Sequence, residues 1–285
     1  MGIGRTDVDM VVRLREQGFF AKDRSVVEIG AQQMSSNLFR DQAWIGRCST
    51  AFQVAPREFS GPSEAVLAHG ATESLHANAP HARGFWHWLG FDYAALDVDG
   101  SEGSVPVDLN YDPAPPALHG RASLVTNCGT TEHVANQLNA FKVIHDLTAV
   151  GGVMLHSLPA QGYLNHGLVN YNPKFFWSLS AANAYKWLAF DFRQLVDSPY
   201  TLPDNIVSEM QRLPPRQDRD WERYSFADSG ILVVLEKTYD LPFVAPIDVP
   251  PGSATHNSEL KRRYWSVFDT ERFHERLNDL NAGRR

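Results

Sequence analysis

The sequence predicts an α/β protein built on a doubly wound, mostly parallel sheet, and three observations carry that expectation. Near the start, an apolar run closes on an acidic residue and a glycine turn, Val26-Val27-Glu28-Ile29-Gly30. A second run, Tyr93 to Leu96, ends in the carboxylates Asp97 and Asp99. From Ser123 to His156 the chain then reads strand, polar turn, helix, Gly-Gly, strand. Strands alternating with helices cover both faces of a parallel sheet. Ligands bind such sheets at the C-terminal ends of the strands. Carboxylates after two separate strands suit a nucleoside ligand, because they accept bonds from a ribose diol and offset a cationic group.

Each element follows from local pattern. Val8, Val11, Val12 and Leu14 form a helical stripe, and Gly18 stands where a C-terminal cap is expected, so Asp7–Gly18 is read as a first helix. Strand one is Ser25–Ile29. The next strand begins only near Tyr93, more than a minimal βαβ unit of ~30 residues allows, so residues 34–90 are read as a helical insertion. Its aromatic cluster, Phe85, Trp86, Trp88 and Phe91, reads as core before pocket wall. Ser104–Asn110 is a short third strand with a proline suited to an edge, and Leu124–Asn127 is the fourth. Thr130 and Thr131 offer N-cap oxygens to a helix whose stripe is Val134, Leu138, Phe141 and Ile144. Val153–Leu155 is the fifth strand, and Pro173 opens a helix to about Ala184. Lys186–Phe192 and Ile231–Lys237 are final strands around a polar excursion, Pro199–Asp228. The charged tail from His256 reads as a surface helix or a partner-contact arm.

Composition narrows the function classes. The 285 residues suffice for one large α/β domain, and net charge is −7 with no basic stripe, which argues against nucleic-acid binding. Two cysteines, Cys48 and Cys128, fit a reducing compartment, so a cytoplasmic protein is expected. No apolar stretch approaches the roughly 20 residues that span a bilayer, and no membrane association is expected.

With these residues in place, the chain resembles the class I S-adenosylmethionine-dependent methyltransferases over roughly residues 20–240. The segment from Leu155 to Gly167, followed by Asn170-Tyr171-Asn172-Pro173, is similar to a bacterial subgroup that modifies saccharides and other small molecules. The resemblance implies a Rossmann-like seven-stranded methyltransferase sheet over residues 1–240, with the insertion after strand one, and a C-terminal extension over 241–285. It also implies S-adenosylmethionine as cofactor. Glu28 and Gly30 match the family's acidic-x-Gly turn, and Gln32 stands where its second glycine is usual. Asp97, with Asp99 as alternate, corresponds to the ribose-binding carboxylate, and Asp108 to the one that meets adenine. Asn127 closes strand four at the same edge, and Glu132-His133-Val134 matches the pattern that follows it.

Methyl transfer needs alignment first and a base only where a hydroxyl must lose its proton. His166, His156 and His133 fall in segments expected on the ligand side, and histidine is the usual base near neutral pH. The expectation is therefore a small-molecule O-methyltransferase, with self-association into a homo-oligomer left open. No metal is expected, since the histidines lack a close ligand spacing. A non-catalytic protein that kept the fold for binding or assembly is the rival. A nicotinamide dehydrogenase is disfavoured, because residues 30–35 lack G-x-G-x-x-G.

Overall fold

The computed structural model describes residues 2–34, 36–57, 81–100, 103–161, 163, 166–194, 199–201 and 229–283. The chain forms two compact units, residues 1–149 and 150–285. The tail beyond residue 240 lies in the second of these units.

The first unit begins with α1 (Arg5–Glu16), where Asp7 accepts a bond from the Gly4 amide at 2.8 Å and the valine stripe is buried. Strand β1 (Ser25–Ile29) follows, then α2 (Gln42–Phe52) and α3 (Ala82–Trp88), the two helices described within the insertion. Residues 58–80 of that insertion lie outside the described residues. Strands β2 (Asp92–Asp97), β3 (Val105–Pro106) and β4 (Ala122–Cys128) precede α4 (Gln137–Leu147). The order is β3-β2-β1-β4, with every pairing parallel.

At the starts of β1 and β4 two serines are linked reciprocally: Ser25 N donates to Ser123 Oγ at 2.9 Å, and Ser123 N to Ser25 Oγ at 3.0 Å. The aromatic cluster is core. Trp44 stacks on Phe85 at 5.7 Å and Trp86 meets Phe91 edge-on at 5.2 Å. Offset and edge contacts of this kind add to the area these rings bury.

Three local expectations are corrected. The helix after β4 is capped by Asn136, which accepts from the Asn139 amide, while Thr131–His133 forms a 3-10 turn before it. Leu138 accordingly faces solvent and Val134 lies outside the helix. The third strand shrinks to two exposed residues, as an edge containing a proline would.

The second unit is antiparallel. Its strands are β5 (Thr148–Gln161), β6 (Lys186–Gln194), β7 (Pro199–Thr201) and β8 (Ser229–Glu236), in the order β5-β8-β6-β7. With β7, found inside the expected excursion, the described residues hold eight strands where seven were expected; 202–228 lie outside them. Helix α5 (Pro173–Asn183) opens with proline as expected, capped by Asn172, which accepts from the Lys174 amide at 2.9 Å. Strand β5 is far longer than its apolar kernel, and its register against β8 shifts between Pro159 and Gln161. Proline has no amide to donate to the ladder, so a shift beside it is expected.

The tail folds as α6 (Ser258–Arg263), α7 (Trp265–Phe268) and α8 (Thr270–Ala282). It is no free arm. Val267 packs with Ala182 and Val244, and Ser266 Oγ donates to the Ala182 carbonyl at 2.5 Å. The α/β, Rossmann-like class is thus observed: parallel strands with intervening helices, then reversed strands. Among the described residues no helix is long and apolar enough to cross a membrane.

Candidate functional site

The strand ends of the first unit bring together Glu28, Gly30, Gln32, Asp97 and Thr130. Glu28 is completely buried and its carboxylate is shared by three donors: Trp86 Nε1 at 2.6 Å, Tyr93 Oη at 2.8 Å and Gln32 N at 3.1 Å. Burial pushes its pKa up to about 7 from the ordinary 4.5, against the opposing pull of those bonds. No part of this carboxylate reaches solvent, and Glu28 braces the turn from beneath. Trp86 and Tyr93 were missed by sequence reasoning, because they lie 58 and 65 residues away.

Gly30 adopts φ +81, and a Cβ there would stand 2.5 Å from Thr130 Oγ1. Only glycine suits that conformation and that approach. Thr130 Oγ1 donates to the Ile29 carbonyl at 2.6 Å, and Gln32 Nε2 donates to Thr130 Oγ1 at 3.0 Å and to the Ile29 carbonyl at 2.9 Å. The Gln32 side chain thus folds back over the end of β1 and fills the space a glycine would leave open. Its Oε1 is buried and has no hydrogen-bond partner among the described residues. A buried, unmatched acceptor is costly unless something supplies a donor.

Asp97 closes β2 beside this turn. Its Oδ2 accepts from Ala31 N at 2.8 Å and its Oδ1 from Val98 N at 2.8 Å, and the side chain stays half-buried. Each carboxylate oxygen accepts two bonds, so one place remains on each. Asp99 is exposed. Asp108 binds its own turn through one carboxylate oxygen. Its Oδ1 accepts from Asn110 N at 2.8 Å and Asn110 Nδ2 at 3.1 Å, capping the turn after β3. Asn127 is also turned inward: it is fully buried and its Nδ2 donates to Thr131 Oγ1 at 2.8 Å.

The three histidines have different surroundings. His133 lies in the 3-10 turn directly after β4, exposed, with Nε2 3.8 Å from Oε1 of the buried Glu132. Burial raises the Glu132 pKa to about 7. His156 is corrected outright: it sits inside strand β5, 1% exposed, 5.2 Å from the Phe176 ring, and burial depresses its pKa to about 3. A sealed, permanently neutral imidazole is packing, not a base in a loop. His166 does fall in the loop after β5, half-buried beside Tyr163 at 5.5 Å.

No family profile matches this chain, and no curated protein matches it. Solved structures are similar at low identity. A SAM dependent methyltransferase from Archaeoglobus fulgidus is 12% identical, covering 80% of this chain and 94% of its own, with a TM-score of 0.40. The 1,6-didemethyltoxoflavin-N1-methyltransferase of Burkholderia thailandensis is 10% identical over 80% of this chain and 78% of its own, at 0.38. Geranyl diphosphate C-methyltransferase from Streptomyces coelicolor A3(2) is 10% identical over 80% and 79%, also at 0.38. At scores this low, function has to be argued from the residues themselves.

Proposed function

We propose that the chain is an S-adenosylmethionine-dependent methyltransferase acting on a small-molecule acceptor. One observation carries the reading: the glycine turn after β1 is tied to Asp97 at the end of β2, whose half-buried carboxylate keeps one acceptor place on each oxygen. That arrangement fits a ribose diol, and the positive φ of Gly30 keeps backbone, not side chain, at the turn. S-adenosylmethionine, when bound, supplies a methyl group on a cationic sulfur. Asp97 would hold its ribose, and the Glu28 brace would keep the turn in place beneath it. Oxygen is the favoured acceptor atom, with His133 or His166 accepting the hydroxyl proton. His133 Nε2 stands 3.8 Å from Oε1 of the buried Glu132.

Calorimetry with S-adenosylhomocysteine tests the cofactor. At 100 times the dissociation constant, linkage should stabilise the fold by ~2.7 kcal/mol. A flat thermal titration with no heat would remove this reading. Asp97→Ala should weaken binding by roughly 1.5–3 kcal/mol. His133→Ala and His166→Ala should leave cofactor affinity unchanged, and the variant lacking the base should lose ~10²–10⁴-fold in turnover. Full activity in both would shift the acceptor to an amine or an already ionised group.

Gln32 favours a second reading, a non-catalytic protein of this fold, because its side chain occupies the turn. Gln32→Gly separates the two. A parent that binds S-adenosylhomocysteine as tightly as the variant supports the enzyme; binding gained only on opening the turn supports the rival.

A further inference from the structure

The C-terminal helices frame an open hollow that none of the strand-end residues touches. Its volume is ≈ 370 Å³, and it is lined by Lys261, Arg262, Trp265, Asp269, Arg272 and Arg276. Four cations against one carboxylate is a strong local bias in a chain of net charge −7. Arg262 is already committed, with Nε and Nη2 on Glu259 at 2.9 and 2.8 Å. Lys261, Arg272 and Arg276 have no carboxylate within ion-pair distance among the described residues. Like charges gathered in one hollow repel one another, and a bound anion relieves that cost.

The walls are pre-set. Trp265 is held edge-on against Phe273 at 5.4 Å and packs on the cluster of Ala182, Val244 and Val267. The Arg276 guanidinium lies over the same indole, 5.5 Å from the ring centre. The indole holds that cation beside it, and a planar guanidinium fork matches the oxygens of a phosphate. Asp269, the one carboxylate of the lining, is directed to the start of α8, where it accepts from the Arg272 amide at 3.3 Å.

We propose that this cavity binds a small phosphate ester, with Lys261, Arg272 and Arg276 holding the dianion and Trp265 flanking the organic part. The size lies within the roughly 300–1,000 Å³ of small-molecule sites. A short concave cluster of cations favours a small ligand over a nucleic-acid backbone or a lipid surface, which call for an extended basic face. The site is independent of the methyl-transfer reading.

Calorimetry on the full chain at low salt, titrating phenyl phosphate, inorganic phosphate and phosphatidylserine vesicles, tests it. Phenyl phosphate should bind saturably at one site, with inorganic phosphate competing. Arg272→Gln should weaken phenyl phosphate at least about tenfold, and Arg272→Gln with Arg276→Gln further, at unchanged circular dichroism. Arg13→Gln, on α1, should have no effect. Affinity should rise from pH 5.5 to 7.5 as the ester gains its second charge, near pKa ≈ 6, because the arginines do not titrate. Three results would overturn the proposal: no saturable binding of phenyl phosphate up to about 10 mM, equal affinity in the arginine variants, or binding to vesicles without binding to phenyl phosphate.

Discussion

Glu28 in the parallel strands and His156 in the antiparallel strands are equally sealed from water, yet their surroundings have little in common. Glu28 lies under three hydrogen-bond donors at a strand end, and its pKa still rises to about 7. His156 lies mid-strand against Phe176, and its pKa falls to about 3. Burial drives both groups toward neutrality, one by holding a proton and the other by releasing it. Polar investment therefore marks the strand ends of the first unit, while the second buries its ionisable group for packing. The pH dependence of stability should show that contrast, because the two groups have opposite signs.

The largest expected effect belongs to His156. Its folded pKa lies below its unfolded value, so the unfolded chain binds more protons between pH 6.5 and 3 and stability is lost as pH falls through that window. The loss should reach up to about 5 kcal/mol. His156→Phe should abolish it, as denaturant melts at a series of pH values would show. Glu28 behaves in reverse. Its folded pKa is raised from 4.5 to about 7, so the folded chain binds more protons in that window and stability falls as pH rises through it. Up to about 3 kcal/mol is at stake. Glu28→Gln should flatten that fall in part only, because Glu132 is raised to about 7 as well. Equal pH slopes in parent and Glu28→Gln would break the comparison.

Two smaller changes sharpen it. Gly30→Ala forces φ +81 on an alanine and its Cβ onto Thr130, costing roughly 1–3 kcal/mol in thermal or denaturant melts. Tyr93→Phe removes a single donor from Glu28 and should cost about 1 kcal/mol. Losing a donor to the ionised form raises the Glu28 pKa further, so the fall in stability should extend to higher pH. An unchanged profile would mean that the Tyr93 hydroxyl does not hold the charge.

What the sequence disclosed and what it withheld follow a physical division. Strands β1, β2 and β4 and the glycine turn were legible because period, apolarity and punctuation are local. Asp97 was placed correctly at its strand end for the same reason. A carboxylate after a strand looks alike in sequence whether or not it caps its own turn; that Asp108 Oδ1 does so rests on Asn110. Threonines at 130 and 131 suggested a cap, but a 3-10 turn moved the helix start to Asn136. His156 was drawn into a loop because Pro159 and the polar residues after it hid the length of β5. The filled turn was least accessible of all. That Gln32 would meet Thr130, 98 residues on, is a fact of tertiary packing, although the missing glycine had flagged the position.

The serine pair at the starts of β1 and β4 bears on how the parallel strands come apart. Its two amide bonds, with the bond from Ser123 Oγ to the Ser25 carbonyl at 2.9 Å, lock the end of the β1–β4 ladder away from the ligand edge. Fraying from that side must first break three bonds made by side chains. The other end of β1 is pinned as well, through Thr130, Gln32 and Asp97 at the glycine turn. In native-state hydrogen exchange the amides of Val26 and Val27 and that of Gly30, which is paired to the Leu96 carbonyl at 2.7 Å, should therefore exchange in one cooperative opening. Ser25 and Ser123 close the ladder at the end opposite the turn, so β1 has no loose end from which to unzip.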